Sequence, residues 1–212
     1  GVAVSDTPAG PYRFIRSGRV NAGKLPVDMD GQAVAVLDTL NAKNYEKWWT
    51  PEWTDAVNKG LIVKRDLDGG QMSRDMTLYV DEDGKAYHIY SSEENLTLQI
   101  AELSDDYLSH TGNYVRVAPA GHNEAPAIFK KDFGPWSQHP NPCVGPKSEL
   151  TFGGQSTYIL KVGGKKDAFI FMADIWRPEH PSDARYIWLP VQFKEGIPYV
   201  EWMDNWTLDF FQ

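Results

Sequence analysis

The stretch SRDMTLYVDEDGKAYHIYSSEENLTLQIAELSDDYLSHTGNYVRV, residues 73–117, decides the fold. Met76 to Val80 and Ala86 to Tyr90 are rich in β-branched and aromatic residues, and they flank the acidic, Gly-containing turn Asp81-Glu82-Asp83-Gly84-Lys85. That pattern is a β-hairpin. Residues 98–117 follow as an apolar strand, a Ser-Asp turn and a second strand. The unit is therefore a hairpin plus a strand-turn-strand element, about four strands in all.

The design recurs along the chain. Thr157 to Val162 and Ala168 to Met172 flank Gly163-Gly164-Lys165-Lys166-Asp167, and Tyr186 to Phe193 and Tyr199 to Trp202 flank Lys194-Glu195-Gly196. GVAVSDTPAGPYRFIRS, residues 1–17, has the strand-turn-strand shape, and DFGPWSQHPNP, residues 132–142, matches its back half. Repeated four-stranded sheets are the signature of a β-propeller. In this register residues 1–17 are half a blade, 75–117 nearly a whole one, 124–142 half of another and 155–202 one more. A sandwich of short strands is the alternative reading.

One segment breaks the rhythm. Residues 28–60 read as helical and are expected to form an insertion between blades. Thr50-Pro51-Glu52 has the order of an N-cap, a proline at the first helical position and an acid in the first turn. Trp49, Trp53 and Val57 are spaced by four, as on one helical face. Trp48, Trp49 and Trp53 suit either core packing or a wall on which sugars stack.

Composition narrows the function. The 212 residues are 42% hydrophobic, with 8 Trp, 10 Tyr and 9 Phe, enough for a sizeable core. No apolar run approaches the ~18 residues that a membrane span needs. The net charge of −8 opposes a nucleic-acid partner. Cys143 is alone, so no internal disulfide forms, and no CxxC or HxxxH spacing writes a local zinc site. No metal and no cofactor is expected. An acidic, aromatic-rich surface suits neutral polyols: carboxylates accept hydroxyl hydrogen bonds, and rings cover the apolar faces of sugars.

Polar residues just before the first strand of each blade point at a propeller's channel. Asp75, Glu124 and Gln155 hold such positions and are expected to converge. Paired carboxylates are what glycoside hydrolysis needs, one protonated and one ionised nearby. Asp75 beside Glu124 would raise the glutamate's pKa by like-charge repulsion. The same residues also suit solvated strand-start acids. Glu94 and Asn95 follow the strand ending at Ser92 and suit either a channel or an exposed turn. Arg185 opens the last inner strand and suits a ligand contact or an ion pair. The five histidines read as surface or core residues.

The stretches SRDMTLYVDEDGKAYHIYSSEEN, EAPAIFK and GGQSTYILKVGGKKDAFIFMADIW resemble glycoside hydrolase family 43, and within it the exo-β-1,3-galactanase-like branch. The resemblance runs from GVAVSDTPAGPYRFIRSGRV to the terminal WTLDFF. It implies a five-bladed propeller, a single catalytic domain over residues 1–212, and inverting, exo-acting hydrolysis of β-galactosidic linkages in a plant-type oligo- or polysaccharide. It also implies a secreted or periplasmic protein. A glycan-binding propeller without turnover, or a member acting on xylan or arabinan, are the alternatives. By the resemblance Glu124 matches the general acid and Asp75 the carboxylate that tunes and positions it. Gln155 matches a glutamine where a base is expected, Glu94 and Asn95 match sugar contacts, and Arg185 resembles the arginine of the last blade.

The chain departs from the family in two places. Nothing corresponds to the blade that family members carry before GVAVSD, with its site-lining acid. Nothing corresponds to the return strand and loop between FKK and FGPW. The run Ala125 to Phe129 reads as a strand without a neighbouring partner, so Lys131 and Asp132 are expected not to be continuous in the natural protein.

Overall fold

The computed structural model describes residues 1–128 and 139–211. The chain divides into two compact units, Gly1–Glu124 and Ala125–Gln212.

The first unit opens with the antiparallel pair β1 (Val2–Val4) and β2 (Arg13–Arg16). Three short helices follow: α1 (Gly31–Leu37), α2 (Pro51–Asn58) and α3 (Leu61–Asp66). Asp30 caps α1 by accepting from the amides of Gln32 and Ala33, and Thr50 caps α2 by accepting from Trp53. The helix starts at Pro51, so Trp49 lies before it rather than on its face. Trp53, Val57, Leu61 and Ile62 pack with Leu37 and Leu40 into a helical core, which also takes Leu96, the residue before strand Thr97–Leu103.

That sheet is a four-stranded antiparallel meander: β3 (Met76–Val80), β4 (Ala86–Ser92), β5 (Thr97–Leu103) and β6 (His110–Val117). It is the four-strand unit expected over residues 75–117. Tyr90, Ala101 and Tyr114 are its buried centre. Beside them His88 is buried, with Nδ1 3.0 Å from Nε2 of His110 and its ring against Tyr90.

The second unit holds β7 (Cys143–Val144), β8 (Gln155–Lys161), β9 (Phe169–Ile175), β10 (Arg185–Lys194) and β11 (Ile197–Glu201). Their order is β7-β11-β10-β9-β8, with β7 parallel to β11 and the other pairs antiparallel. Strands β8 to β11 are the expected unit over residues 155–202. Phe169, Phe171, Ile187, Leu189 and Val191 form its core, alternating with outward residues as a half-buried sheet requires.

The expected strand Ala125 to Phe129 does not form over residues 125–128. Ala125 has φ of 45°, outside extended geometry, and Pro126 has no N–H to give a ladder. The expected break between Lys131 and Asp132 lies outside the described residues. Both units are mostly sheet apart from the short helices, a mostly-β fold.

Two stability outcomes follow. Gly60 precedes α3 with φ of 105°, and an added Cβ would sit 2.7 Å from both Leu37 Cδ2 and Met29 Cε. Gly60→Ala is therefore expected to lower unfolding free energy by about 1–3 kcal/mol, read from a urea melt.

Burial, and next the neighbouring His110, lower His88 to about 4 from its ordinary 6.5. Burial, and next Arg16, also lower His110. The folded state thus binds fewer protons than the unfolded chain. The stability held by the neutral rings is complete above pH 6.5 and lost as pH falls toward 4. A drop of about 1–2 kcal/mol in unfolding free energy between pH 7 and pH 5 is expected, read as a fall in the denaturation midpoint. A midpoint flat over that window contradicts it.

Candidate active site

Strand β4 ends in the polar run Ser91-Ser92-Glu93-Glu94-Asn95, and the turn there is strained. Glu93, Glu94 and Asn95 have φ of 51°, 60° and 67°, three successive non-glycine residues in the left-handed region. Each such residue costs on the order of 1 kcal/mol and needs holding from outside. Each is held here.

Glu93 is fully buried and pairs with Arg116 of β6, whose Nε and Nη2 donate to its two oxygens at 2.7 and 2.8 Å. The Arg116 side chain is 6% exposed. It also donates to the carbonyls of Val57 and Asn58 at the end of α2, where a cation is favoured. Glu94 accepts from Arg65 at 3.1 Å and from Arg74 at 2.9 Å. Leu96, fully buried, closes the turn into the helical core.

Asn95 is thereby aimed at Glu124: its Nδ2 donates to Glu124 Oε1 at 2.7 Å. Its carbonyl accepts from the Asn123 amide at 2.7 Å, so backbone and side chain both clamp the segment that carries the acid. Ser91, fully buried, ties the arrangement together. Its hydroxyl lies 3.1 Å from Asn95 Oδ1 and also bonds the Asn123 carbonyl, while its amide donates to the Asp75 carbonyl at 2.8 Å. Asp75, Glu94, Asn95 and Glu124 are thus gathered around one strand end. Asp75 and Glu124 are exposed to solvent.

An aromatic row reaches His122, two residues before Glu124. Trp48 stacks on the buried Trp53 at 5.4 Å, Trp49 packs on the same ring at 5.2 Å, and Trp49 stacks with His122 at 6.4 Å. Trp53 is core, as one of the two expected readings has it, while Trp48 and Trp49 present half-exposed faces.

Gln155 and Arg185 belong to the second unit. Gln155 begins β8 opposite Asp174, and Arg185 begins β10 opposite Ile175, so both stand at one end of that sheet. Both are exposed. Arg185 donates to Asp183 at 2.8 Å, and Asp183 also pairs with Arg177. Among the described residues no three His, Cys, Asp or Glu side chains are grouped to hold a metal ion. No helix there is long and apolar enough to cross a membrane.

Sequence reading missed Arg116, Arg65 and Ser91. Only the density of polar residues at the end of an otherwise apolar strand signals them.

Among solved structures, the chain is similar to a family 43 β-1,3-galactosidase determined with galactodeoxynojirimycin. The two share 57% identity over 97% of this chain and 67% of the other, with a TM-score of 0.88. The chain belongs to glycoside hydrolase family 43.

A second family 43 β-1,3-galactosidase is 35% identical over 66% of this chain and 35% of its own, with a TM-score of 0.62. An exo-β-1,3-galactanase from Phanerochaete chrysosporium, with β-1,3-galactotriose, is 26% identical over 62% of this chain and 36% of its own, with a TM-score of 0.52. The chain thus spans 67% of the first family 43 relative and 35% of the second. No protein-family model matches it, and no curated protein does. Membership places it in a family of catalytic glycosidases and relates its mostly-β fold to the propellers of that family.

The buried pair gives a sharp test of the turn. Arg116→Met removes one partner and leaves the Glu93 carboxylate uncompensated. Loss of about 3–5 kcal/mol is expected from a chemical melt. Glu93→Gln with Arg116→Met together should recover part of it, because the stranded charge is gone.

Proposed function

We propose that the protein is an inverting, exo-acting glycoside hydrolase that releases galactose from β-1,3-galactan-type chains, acting outside the cytoplasm. The observation that carries this reading is the 57% identity with the β-1,3-galactosidase solved with galactodeoxynojirimycin. We further propose that the two sheets are blades of a five-bladed propeller, with the segment of residues 28–60 inserted between blades of one catalytic domain.

Glu124 is the general acid in this proposal. An unactivated glycoside leaves as a high-pKa alkoxide unless its oxygen is protonated as the bond breaks. Asn95 donates to Oε1, so the acidic proton resides on Oε2, the oxygen left to face the leaving group. Asp75 tunes and positions the acid through its charge. Gln155 orients the attacking water; its amide is a hydrogen-bonding group, not a ready proton acceptor. Glu94, Asn95 and Arg185 bind sugar hydroxyls. The exposed face of Trp49 supplies the stacking surface that a galactose ring requires.

Glu124→Gln tests the assignment through the leaving group. It keeps size and hydrogen bonding but cannot donate a proton readily. Cleavage of galactan should fall by about 10²–10⁴-fold, while dinitrophenyl galactosides, whose leaving group needs little protonation, should lose much less. Equal losses on both substrates would remove Glu124 from the role of acid. Retention of galactan by the unaltered protein with no turnover would mark a binding protein.

A further inference from the structure

A cleft opens in the second unit where β11 ends. Strand β11 pairs with β10 only over Val191–Lys194 and stops at Glu201. The next residue of β10 toward Gln155 is Pro190, which has no N–H with which to continue the ladder. The chain leaves the sheet at Trp202, and β7 ends beside it at Val144. The segment Gly145 to Phe152 then turns back toward β8.

Between these two departing chains opens a cleft of about 400 Å³, lined by Gly145, Pro146, Lys147, Phe152, Glu201 and Trp202. That is the size range of small-ligand sites. Its floor is aromatic: Trp202 lies against the buried Phe152, with ring centroids 5.7 Å apart. The indole is fixed from a second side, since its Nε1 donates to Asp204 at 2.8 Å. Yet Trp202 is 45% exposed. A large ring, immobilised at two points and left open on one face, is a preformed stacking platform with little entropy left to lose on binding. Lys147 and Glu201, both exposed at the rim, bring an ammonium donor and a carboxylate acceptor to the same opening.

We propose that this cleft holds one neutral hexopyranose unit of the substrate polysaccharide, apart from the bond being cleaved. The apolar face of the sugar lies on Trp202, and its hydroxyls bond Lys147 and Glu201. The inference rests on the proposed galactan reading for the identity of the sugar. The flanking strands β7 and β11 run toward the sheet end at which β8 begins with Gln155, and three inter-strand gaps separate β11 from β8, about 14 Å across. One polymer thus reaches both positions only if several sugars long, so the cleft favours long chains over short ones.

The test uses the full chain on native gels containing soluble β-1,3-galactan, with aryl β-galactoside hydrolysis in parallel. Trp202→Ala should weaken retardation by about fivefold, while the aryl-galactoside rate stays within about twofold. Lys147→Gly with Glu201→Ala, which leaves the aromatic floor and the left-handed backbone of residue 147 intact, should weaken it by about threefold. This pair decides the matter if Trp202→Ala lowers the unfolding midpoint. Retardation by galactan unchanged in both variants overturns the inference, as does a protein that no polysaccharide retards. Retardation by xylan or arabinan instead, lost in the variants, supports the cleft and overturns the galactan reading.

Discussion

The first unit depends on a single buried ion pair, Glu93 with Arg116. Two charges out of water are costly, and their attraction offsets that cost only when the remaining donors and acceptors are also filled. Here most of them are. Both carboxylate oxygens of Glu93 accept from Arg116, and Nη2 and Nη1 of the same guanidinium also donate to Val57 and Asn58, the carbonyl end of α2. One side chain on β6 therefore fixes a strand end and a helix end together. A hydrophobic pair of equal volume could fill the space, but it could not specify the rotation of the helix about its axis, since it would not need those carbonyls. The aromatic row follows from that rotation, because Trp53 on α2 is the ring on which Trp48 and Trp49 rest.

The same pair helps to hold an unfavourable conformation. Three consecutive left-handed residues would unwind in an isolated peptide. In the fold each has a separate anchor: Arg116 for Glu93, Arg65 and Arg74 for Glu94, and Ser91 with Glu124 for Asn95. Strain held in this way is directional. An ordinary two-residue hairpin turn would send the chain back sooner, and its side chains would splay into solvent. The longer left-handed turn swings Asn95 across to the segment that follows β6, at Glu124, 29 residues later in sequence.

The sheets were legible in the sequence because their cause is local. Alternation of period two and glycine-bearing acidic turns are written within a few residues, and β3 to β6 and β8 to β11 appear where those signals stand. The strand expected from Ala125 does not form over residues 125–128 for a reason equally local: Ala125 is left-handed and Pro126 removes a donor. The candidate site was legible only in part. Glu124, Asn95 and Glu94 stand out as polar residues at strand ends. Arg116 does not, because it sits at an ordinary alternating position of β6, and its importance comes from Glu93, 23 residues away in sequence. Ion pairs of that range are products of tertiary folding, and the few-residue windows in which strands and turns are read do not contain both halves.

The hydrogen bond from Asn95 to Glu124 also bears on how an acid in that position would work. While Glu124 is protonated, Asn95 donates to a neutral carbonyl oxygen. As the proton leaves, the same donor faces a developing carboxylate, and a charge-assisted bond is roughly twice as strong as a neutral one. The interaction thus strengthens along the reaction, which is the condition for it to lower the barrier rather than merely to bind. Its strength is bounded by Ser91, whose one hydroxyl proton is shared between Asn95 Oδ1 and the Asn123 carbonyl. When Asn95 is drawn more firmly to Glu124, its oxygen competes for that proton from a fixed position, because the Asn95 carbonyl is already bonded to the Asn123 amide. The backbone clamp therefore holds the amide in place in both protonation states, and the transfer of the proton requires no rearrangement of the turn.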